Sequence, residues 1–477
     1  MNENPELRPP GDPPDLTDKR VLVVGLGRSG IAAANLCAAR GARVTGTDRR
    51  DAAALGPALL RLATGVAREL GGHRRESFVR ADLIVLSPGV PEIPELAAAR
   101  AAAVPITGEL ELASRFVAGT IVAVTGTNGK STTTTLVGDM LRASGRSTFV
   151  GGNLGDPLAE AVGTPAASAG GFCVVEASSF QLETAVTFHP RVAALLNVTA
   201  DHLDRYPDLD AYAAAKARIF GAQTGADDAV VNLDDPIAVR AAAAAPARRT
   251  GFSVARPLEV GGWLDDEALV IRLPDGRPER YPASSPALVG RHNQANALAA
   301  LLISRLAGGT PAQVRAALVA FRPLAHRMEL VDEIDGIAYY DDSKGTNVGA
   351  VVAALDGFPR PVVLIAGGRH KGGDYAPLAA ALARVGRAAV LIGEAAAQLQ
   401  AALEDTLPIE RAPSLDEAVD AARRLARPGD AVVLSPACSS FDMFRDYAHR
   451  AEVFRAAVAR QTDAAAGTDT AHLEVSR

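Results

Sequence analysis

The sequence predicts an α/β protein of three successive domains, and two observations carry that prediction. Three times a β-branched apolar run meets a glycine turn and then a helical pattern: "RVLVVGLGRSGIAAANLCAARGARVTGTD", "TIVAVTGTNGKSTTTTLVGDMLRASG" and "RPVVLIAGGRHKGGDYAPLAAALARVGRAAVLIG". Short apolar strands alternating with helical patterns build parallel sheets. The chain has 477 residues, room for two to four domains at roughly 100–200 residues each. The blocks divide it at 20–111, 112–322 and 323–461, with joints around Gly108–Arg115 and Phe321–Leu330. No fixed-period repeat runs through them.

Composition narrows the class. A net charge of −6 offers no bulk attraction to nucleic acid or to an anionic membrane surface. No stretch reaches the roughly 18 consecutive apolar residues of a membrane helix. Cys37, Cys173 and Cys438 are far apart and form no CxxC pair, which fits a reducing cytoplasm and neither a disulfide framework nor a structural zinc site. Residues 1–19 are polar and proline-rich, without the apolar core of a signal peptide, and are expected to be a disordered tail. Residues 462–477 are expected to be loose as well.

In the first block, "GLGRSG" (Gly25–Gly30) follows a strand, opens a helix, and precedes Asp48 at the end of "ARVTGTD". That is the GxGxxG pattern with its acidic residue for a ribose hydroxyl. Amide groups at a helix N-terminus bind any anion, so a nicotinamide dinucleotide, another diphosphate, or a bare structural turn all satisfy it. "SPGVP" (Ser87–Pro91) is a second strand-end turn that could line the same crevice.

In the second block, "TGTNGKST" (Thr125–Thr132) has strand, tight turn, lysine, hydroxyl and helix in place, so its amides can cradle phosphate. Lys130 would reach the β- and γ-phosphates, and Ser131 would face Mg²⁺. The usual pattern has four residues between its glycines; here Thr127 and Asn128 alone separate Gly126 from Gly129, and Val124 stands where the first glycine belongs. Glu176 ends the apolar strand of "FCVVEASSFQLE", where ligands of parallel sheets collect. Asp201, His202 and Asp204 follow another strand. A lone histidine is ordinarily a hydrogen-bonding residue, and a lone helix lysine such as Lys216 is ordinarily a solvated surface charge. Inside this block, "RPLEVGGWLDDEALVIRLPDGRPERYP" alternates like a small antiparallel sheet.

Taken together, "TGTNGKST", "EASSFQLE", "NVTADHLDRY", "GRHNQANALAA", "HRMEL", "YYDDSKGTN" and "SPACSSFDMF" resemble the Mur ligases of peptidoglycan synthesis, in the family's order from about Lys19 to about Arg460. "SSFQLE" and "DDSKGTN" are most similar to the D-glutamate-adding branch. The turn without the first glycine is the form this family uses.

The resemblance implies an ATP-dependent amide ligase that adds D-glutamate to UDP-N-acetylmuramoyl-L-alanine through an acyl phosphate. It implies an N-terminal Rossmann-like UDP-binding sheet, a central P-loop ATPase-type sheet, and a C-terminal Rossmann-like domain for the amino acid. It also implies a cytoplasmic monomer with two Mg²⁺ sites, Mn²⁺ being an alternative, and no nucleic-acid or membrane partner. Gly126, Thr127, Asn128, Gly129, Lys130, Ser131 and Thr132 would hold ATP, with Asn293 and Asn296 near adenine, Arg327 near the phosphates and Asp342 at the ribose. Ser131 and Glu176 would serve the first metal; His202 and a carbamylated Lys216 would serve the second. Lys344 matches a position at the catalytic cleft. Arg28, Ser29, Asp48, Arg49, Ser87 and Gly89 match positions around UDP, and Asn153 one beside the muramoyl-alanyl group. Thr346 and Lys371 match the glutamate α-carboxylate site, and Ser440, Phe441 and Tyr447 the side-chain carboxylate site.

Two rivals remain at this stage. A folylpolyglutamate-synthase-like ligase would not need the N-terminal block, and a nicotinamide oxidoreductase would leave the phosphate turn and the third block unexplained. Intact Lys130, Glu176, His202 and Lys216 argue against a protein that binds without catalysis.

Overall fold

A computed structural model describes residues 13–474, apart from 267, 275, 284–289 and 323. The described residues form two compact units. The first takes in the chain up to Val198 with Asp210–Ser285 and Gln294–Phe321; the second takes in Thr199–Leu209, Pro286–Asn293 and the chain from Arg322 onward.

The first unit carries two sheets. Strands β1 (Arg20–Val24), β2 (Arg43–Asp48), β3 (Ala67–Leu70), β4 (Leu83–Leu86) and β5 (Ile106–Gly108) form a parallel sheet in the order β3-β2-β1-β4-β5. The order reverses at β1, so the turns after β1 and β4 flank the crevice where parallel sheets take ligands. They touch: Gly25 has φ +87°, and a Cβ there would lie 3.0 Å from Ser87 Cβ. Apolar side chains fill both faces, with Val21, Val23 and Val85 on one and Leu22, Val24 and Ile84 on the other. A parallel sheet covered on both sides reads as a continuous apolar run for this reason.

The second sheet has nine strands: β6 (Thr120–Thr125), β7 (Thr148–Gly152), β8 (Phe172–Glu176), β9 (Val192–Leu195), β10 (Asp228–Asn232), β11 (Arg248–Ser253), β12 (Gly261–Asp265), β13 (Ala268–Arg272) and β14 (Glu279–Pro282). Their order is β14-β13-β12-β11-β10-β9-β6-β8-β7. The polar segment is antiparallel as expected, since β12, β13 and β14 pair that way. It does not stand as a separate small sheet, because β12 pairs parallel with β11 and extends the main sheet.

The joint between these two sheets is held by acids. Helix Glu109–Ser114 begins where β5 ends, and Glu109 and Glu111 are both buried. Glu109 accepts from the Ala159 amide at 2.7 Å, while its second oxygen has no hydrogen-bond partner among the described residues. Burial pushes its carboxyl up to about 7, against the pull of that amide. A raised carboxyl makes the folded state hold the proton that the unfolded chain releases, so stability is lost as pH climbs from about 4.5 to about 7. The loss from this one group is about 3 kcal/mol. We expect Glu109→Gln to flatten that part of the curve, so that urea midpoints at pH 5 and pH 8 converge; an unchanged slope would show that Glu109 is ionised in the fold.

The second unit holds a six-stranded sheet of β15 (Glu329–Ile334), β16 (Ile337–Asp341), β17 (Val362–Gly367), β18 (Gly386–Ile392), β19 (Ile409–Arg411) and β20 (Ala431–Leu434), in the order β15-β16-β20-β17-β18-β19. All neighbours are parallel except β15 and β16. Helices such as Leu415–Leu425 and Ala376–Val385 cover opposite faces. The neighbours β16, β20 and β17 send out "DSKGTN", "SPACSS" and "GRHKGG" from their carboxyl ends, so this sheet order gathers three motifs that lie far apart in sequence.

Two expectations about the tails change. Residues 1–12 lie outside the described residues, but Leu16 is buried in the core of the first sheet, so the packed chain starts before residue 20. The last helix runs Tyr447–Glu474, through most of the segment expected to be loose. No described helix is long and apolar enough to cross a membrane.

Candidate active site

Strand order positions the phosphate turn. β6 lies between β9 and β8, and register sets Glu176 beside Val124. "TGTNGKST" therefore leaves the sheet at a switch point with the end of β8 on one side. Gly129, at φ +82°, opens the helix Lys130–Arg142. A Cβ there would sit 2.1 Å from the Asn296 Oδ1, so the Asn296 carboxamide, expected near adenine, packs directly on the turn.

The turn is braced by a residue that sequence reading passed over. Asn197 Oδ1 accepts from the amides of Thr127 (3.1 Å) and Asn128 (2.8 Å), and its Nδ2 donates to the Asn128 carbonyl at 3.0 Å. Those two amides are thus engaged by the protein itself. The amides of Ser131 and Thr132 sit in the first turn of the helix Lys130–Arg142 without intrahelical acceptors, where an anion can be held. The signal for Asn197 was present, since it directly follows the apolar "VAALL", but an asparagine after a strand is also ordinary turn chemistry. We expect Asn197→Ala to weaken ATP binding about tenfold through loss of these bonds; calorimetric titration with an unchanged Kd would show that the turn keeps its shape unaided.

Two ammonium groups meet one carbonyl. Lys130 Nζ donates to Gly126 O at 3.0 Å and Thr127 O at 2.8 Å, and Lys216 Nζ donates to the same Gly126 O at 2.9 Å. Lys216 is 1 % exposed, with its ammonium 4.2 Å from the centre of the Tyr212 ring. The ordinary expectation of a solvated helix lysine fails for this residue. Like charges this close favour an anion between them, or the loss of one charge.

Glu176 is buried. Its Oε1 accepts from Asn153 Nδ2 at 2.7 Å, and its Oε2 has no hydrogen-bond partner among the described residues. A buried carboxyl oxygen without a donor among the described residues, at the end of the strand that pairs with β6, is a hard ligand of the kind Mg²⁺ takes, so a divalent cation would fit Glu176. Lys216 as an ammonium does not fit a cation.

Around the first crevice, burial by itself would raise Asp48, but bonds from the Arg50 side chain and amide and from the Leu26 amide outweigh it and hold the carboxyl at about 2. The arginine on Asp48 is therefore Arg50, whereas Arg49 is exposed. Arg28 reaches Asp156 at 2.9 Å with both side chains more than half exposed, Ser29 and Ser87 are half-buried, and Gly89 is exposed.

In the second unit Asp201 is a hub. It accepts from Lys371 Nζ (3.0 Å), Asn347 Nδ2 (3.2 Å) and the His202 amide (3.0 Å). His202 takes a left-handed φ of +56°, its Nε2 3.7 Å from Asp201. Asp342 is 4 % exposed and accepts from the Ser435 hydroxyl; burial pushes it up to about 7, against Ser435 and the nearby Arg327. Lys344 lies 5.4 Å from the Tyr447 ring centre. Thr346 donates its amide to the Lys344 carbonyl, Ser440 is buried, and Phe441 is 65 % exposed. Asn293 donates its amide to Gly290 O. A cluster of His326, Glu329 and Asp341 has metal-type donors, but the Arg455 guanidinium lies on both carboxylates and supplies the positive charge.

Comparison with known proteins gives this geometry a family. The MurD-like N-terminal domain of Mur ligases matches residues 19–108, the Mur ligase middle domain 124–304, and the Mur ligase glutamate ligase domain 326–438. A UDP-N-acetylmuramoylalanine--D-glutamate ligase of Geotalea uraniireducens is 49% identical over 95% of this chain and 100% of its own. One of Anaeromyxobacter dehalogenans is 51% identical over 93% and 98%. In fold, the chain is similar to a pseudomurein peptide ligase type C from Methanothermus fervidus, with a TM-score of 0.57 and 19% identity, over 87% of this chain and 96% of that one. It is also similar to a MurF ligase from Thermotoga maritima in complex with ADP, with a TM-score of 0.56 and 15% identity, over 94% and 96%. With three domain matches in order and close to half of all residues shared along its length, the chain belongs to the Mur ligase family, in the branch of the D-glutamate ligases.

Proposed function

We propose that this protein is an ATP-dependent ligase that joins D-glutamate to UDP-N-acetylmuramoyl-L-alanine in peptidoglycan precursor synthesis. The observation that carries the reading is the turn after β6, where Lys130 and Lys216 converge on Gly126 beside the unpartnered oxygen of Glu176. Identity near one half to D-glutamate ligases supports the choice of amino acid. Three buried free cysteines suit the cytoplasm, and we place the enzyme there as a monomer.

Forming an amide from a carboxylate and an amine is uphill in water, and ATP removes the barrier by making an acyl phosphate. The L-alanyl carboxylate attacks the γ-phosphorus and ADP leaves. The glutamate amine, as its free base, then attacks the activated carbonyl, and phosphate leaves from the tetrahedral intermediate. Phosphoryl transfer depends on positioning and charge, so no serine or cysteine nucleophile is required. Lys130 and the first-turn amides neutralise the phosphates, with Asn293 and Asn296 toward adenine, Arg327 toward the phosphates and Asp342 toward the ribose. Arg28, Ser29, Asp48, Arg49, Ser87 and Gly89 hold UDP, and Asn153 the muramoyl end. Thr346, Lys371, Ser440, Phe441 and Tyr447 hold D-glutamate, and Lys344 faces the reacting groups.

Ser131 and Glu176 would hold a Mg²⁺ ion, which would supply charge neutralisation at the phosphates. A second ion with His202 requires Lys216 to change character: a neutral amine that adds CO₂ and loses a proton becomes a carbamate with oxygen donors. The test of the function is phosphate release from Mg²⁺-ATP and UDP-N-acetylmuramoyl-L-alanine with D-glutamate, L-glutamate or no amino acid. Release that requires D-glutamate supports the reading; release with another amino acid keeps the chemistry and overturns the specificity.

A further inference from the structure

The turn "GGRHKGG" carries Lys371, and the loop "SPACSS" carries Ser440. They leave neighbouring strands β17 and β20, but a shared strand edge does not fix two loops to one another. Two ties do. The first is backbone: Arg369 N donates to Ser439 O (2.9 Å) and Ser439 N to Arg369 O (3.0 Å). The second is a chain of side chains: His370 Nδ1 is 2.8 Å from the Tyr375 hydroxyl, which is 3.2 Å from Cys438 Sγ. The His370 and Tyr375 rings also pack with centroids 5.2 Å apart.

All three groups bear on the same piece of geometry. Tyr375 is 6 % exposed and Cys438 fully buried. Burial pushes both the phenol and the thiol up, so each keeps its proton near neutral pH. With one proton on sulfur and one on oxygen, a consistent chain runs from thiol to phenol oxygen and from phenol to the imidazole nitrogen. His370 immediately precedes Lys371, and Cys438 lies two residues before Ser440.

From this geometry we propose that Tyr375 is a positioning residue that sets the distance between the two carboxylate-binding groups of the amino-acid site, and so selects the chain length of the diacid. The inference rests on the reading that Lys371 and Ser440 take the two carboxylates of D-glutamate. Lys371 grips one end and Ser440 the other; the phenol locks the first turn to the second loop. A shorter diacid such as D-aspartate cannot span groups held at a fixed separation, whereas loosened loops can approach each other around it. The hydroxyl's partners are His370 Nδ1 and Cys438 Sγ, so it acts through the loops that carry Lys371 and Ser440.

The test is Tyr375→Phe, which keeps the packed ring and removes only the link. Loss of one such bond corresponds to roughly a five- to tenfold change. We expect KM for D-glutamate to rise about five- to tenfold, kcat to stay within about twofold and KM for ATP to stay unchanged, with the D-aspartate to D-glutamate ratio of kcat/KM moving toward D-aspartate. Cys438→Ala should reproduce that pattern from the far end, and Cys438→Ser, which returns a hydroxyl partner, should restore most of the affinity. This pair reads the link even where Tyr375→Phe folds poorly. Unchanged KM for D-glutamate in both Tyr375→Phe and Cys438→Ala, or a uniform loss across all substrates, would overturn the proposal. A wild-type enzyme that ignores D-glutamate would instead overturn the functional reading, and this inference with it.

Discussion

Lys130→Met is expected to lower kcat/KM for ATP about a thousandfold, the scale on which single charged groups act in phosphoryl transfer. The substitution keeps the apolar stem and removes two things at once. One is a clip, since Lys130 Nζ bonds the carbonyls of Gly126 and Thr127. The other is a positive charge at the turn. Two neutral-acceptor bonds account for about 2–3 kcal/mol at most, and less once the loop relaxes and water replaces them. That is a factor of roughly a hundred.

On the proposed role of Lys130, the charge would matter more, because it would act on the transition state, where phosphate charge is redistributed. Lys130→Arg keeps the charge and loses the fit, so it should fall between wild type and Lys130→Met. Phosphate-release kinetics with calorimetric ATP binding separate the two contributions. If Lys130→Met loses affinity tenfold and nothing in kcat, the lysine is a structural clip and the phosphates are neutralised elsewhere.

The three-block architecture was legible because parallel strands buried on both faces must read as apolar runs, and the turns between them must contain glycine. The glycine turn after β6 was legible for the same reason, as backbone chemistry at Gly129 and Lys130 leaves a pattern in the sequence. What could not be read was the partner of each polar side chain. Asn197, Asn347 and Ser435 act across many positions of sequence, on Asn128, Asp201 and Asp342, and no local pattern records such pairs. Lys216 shows the limit in the other direction. Its neighbours in "AYAAAKARIF" resemble a surface helix, and only the tertiary fold buries it against Gly126. The arrangement of β12, β13 and β14 was misread because alternation reports pairing direction and not which sheet a strand joins.

Glu111→Ala is expected to cost about 3–5 kcal/mol of folding free energy, because it strips the acceptor from a run of partly or fully buried amides. Glu111 is fully buried and its carboxylate accepts from the amides of Val186 (2.9 Å), Thr187 (3.0 Å) and Phe188 (2.9 Å), and from the Thr187 hydroxyl. Nothing in the sequence marks it, because "GELELAS" reads as an amphipathic helix start with an exposed acid. The alanine variant leaves three consecutive amides without their acceptor, at about 1–3 kcal/mol for each one that stays dry. The bonds from the Val186 and Thr187 amides are only partly buried, so water can replace part of them and the total stops short of three full penalties. Glu111→Gln keeps one acceptor oxygen and the shape, and should lose about half as much. Urea unfolding, with the m-value compared between variants, measures both. A loss under about 1 kcal/mol for Glu111→Ala would mean that segment 186–188 keeps its conformation without the carboxylate, and that the joint between the first two sheets does not depend on Glu111.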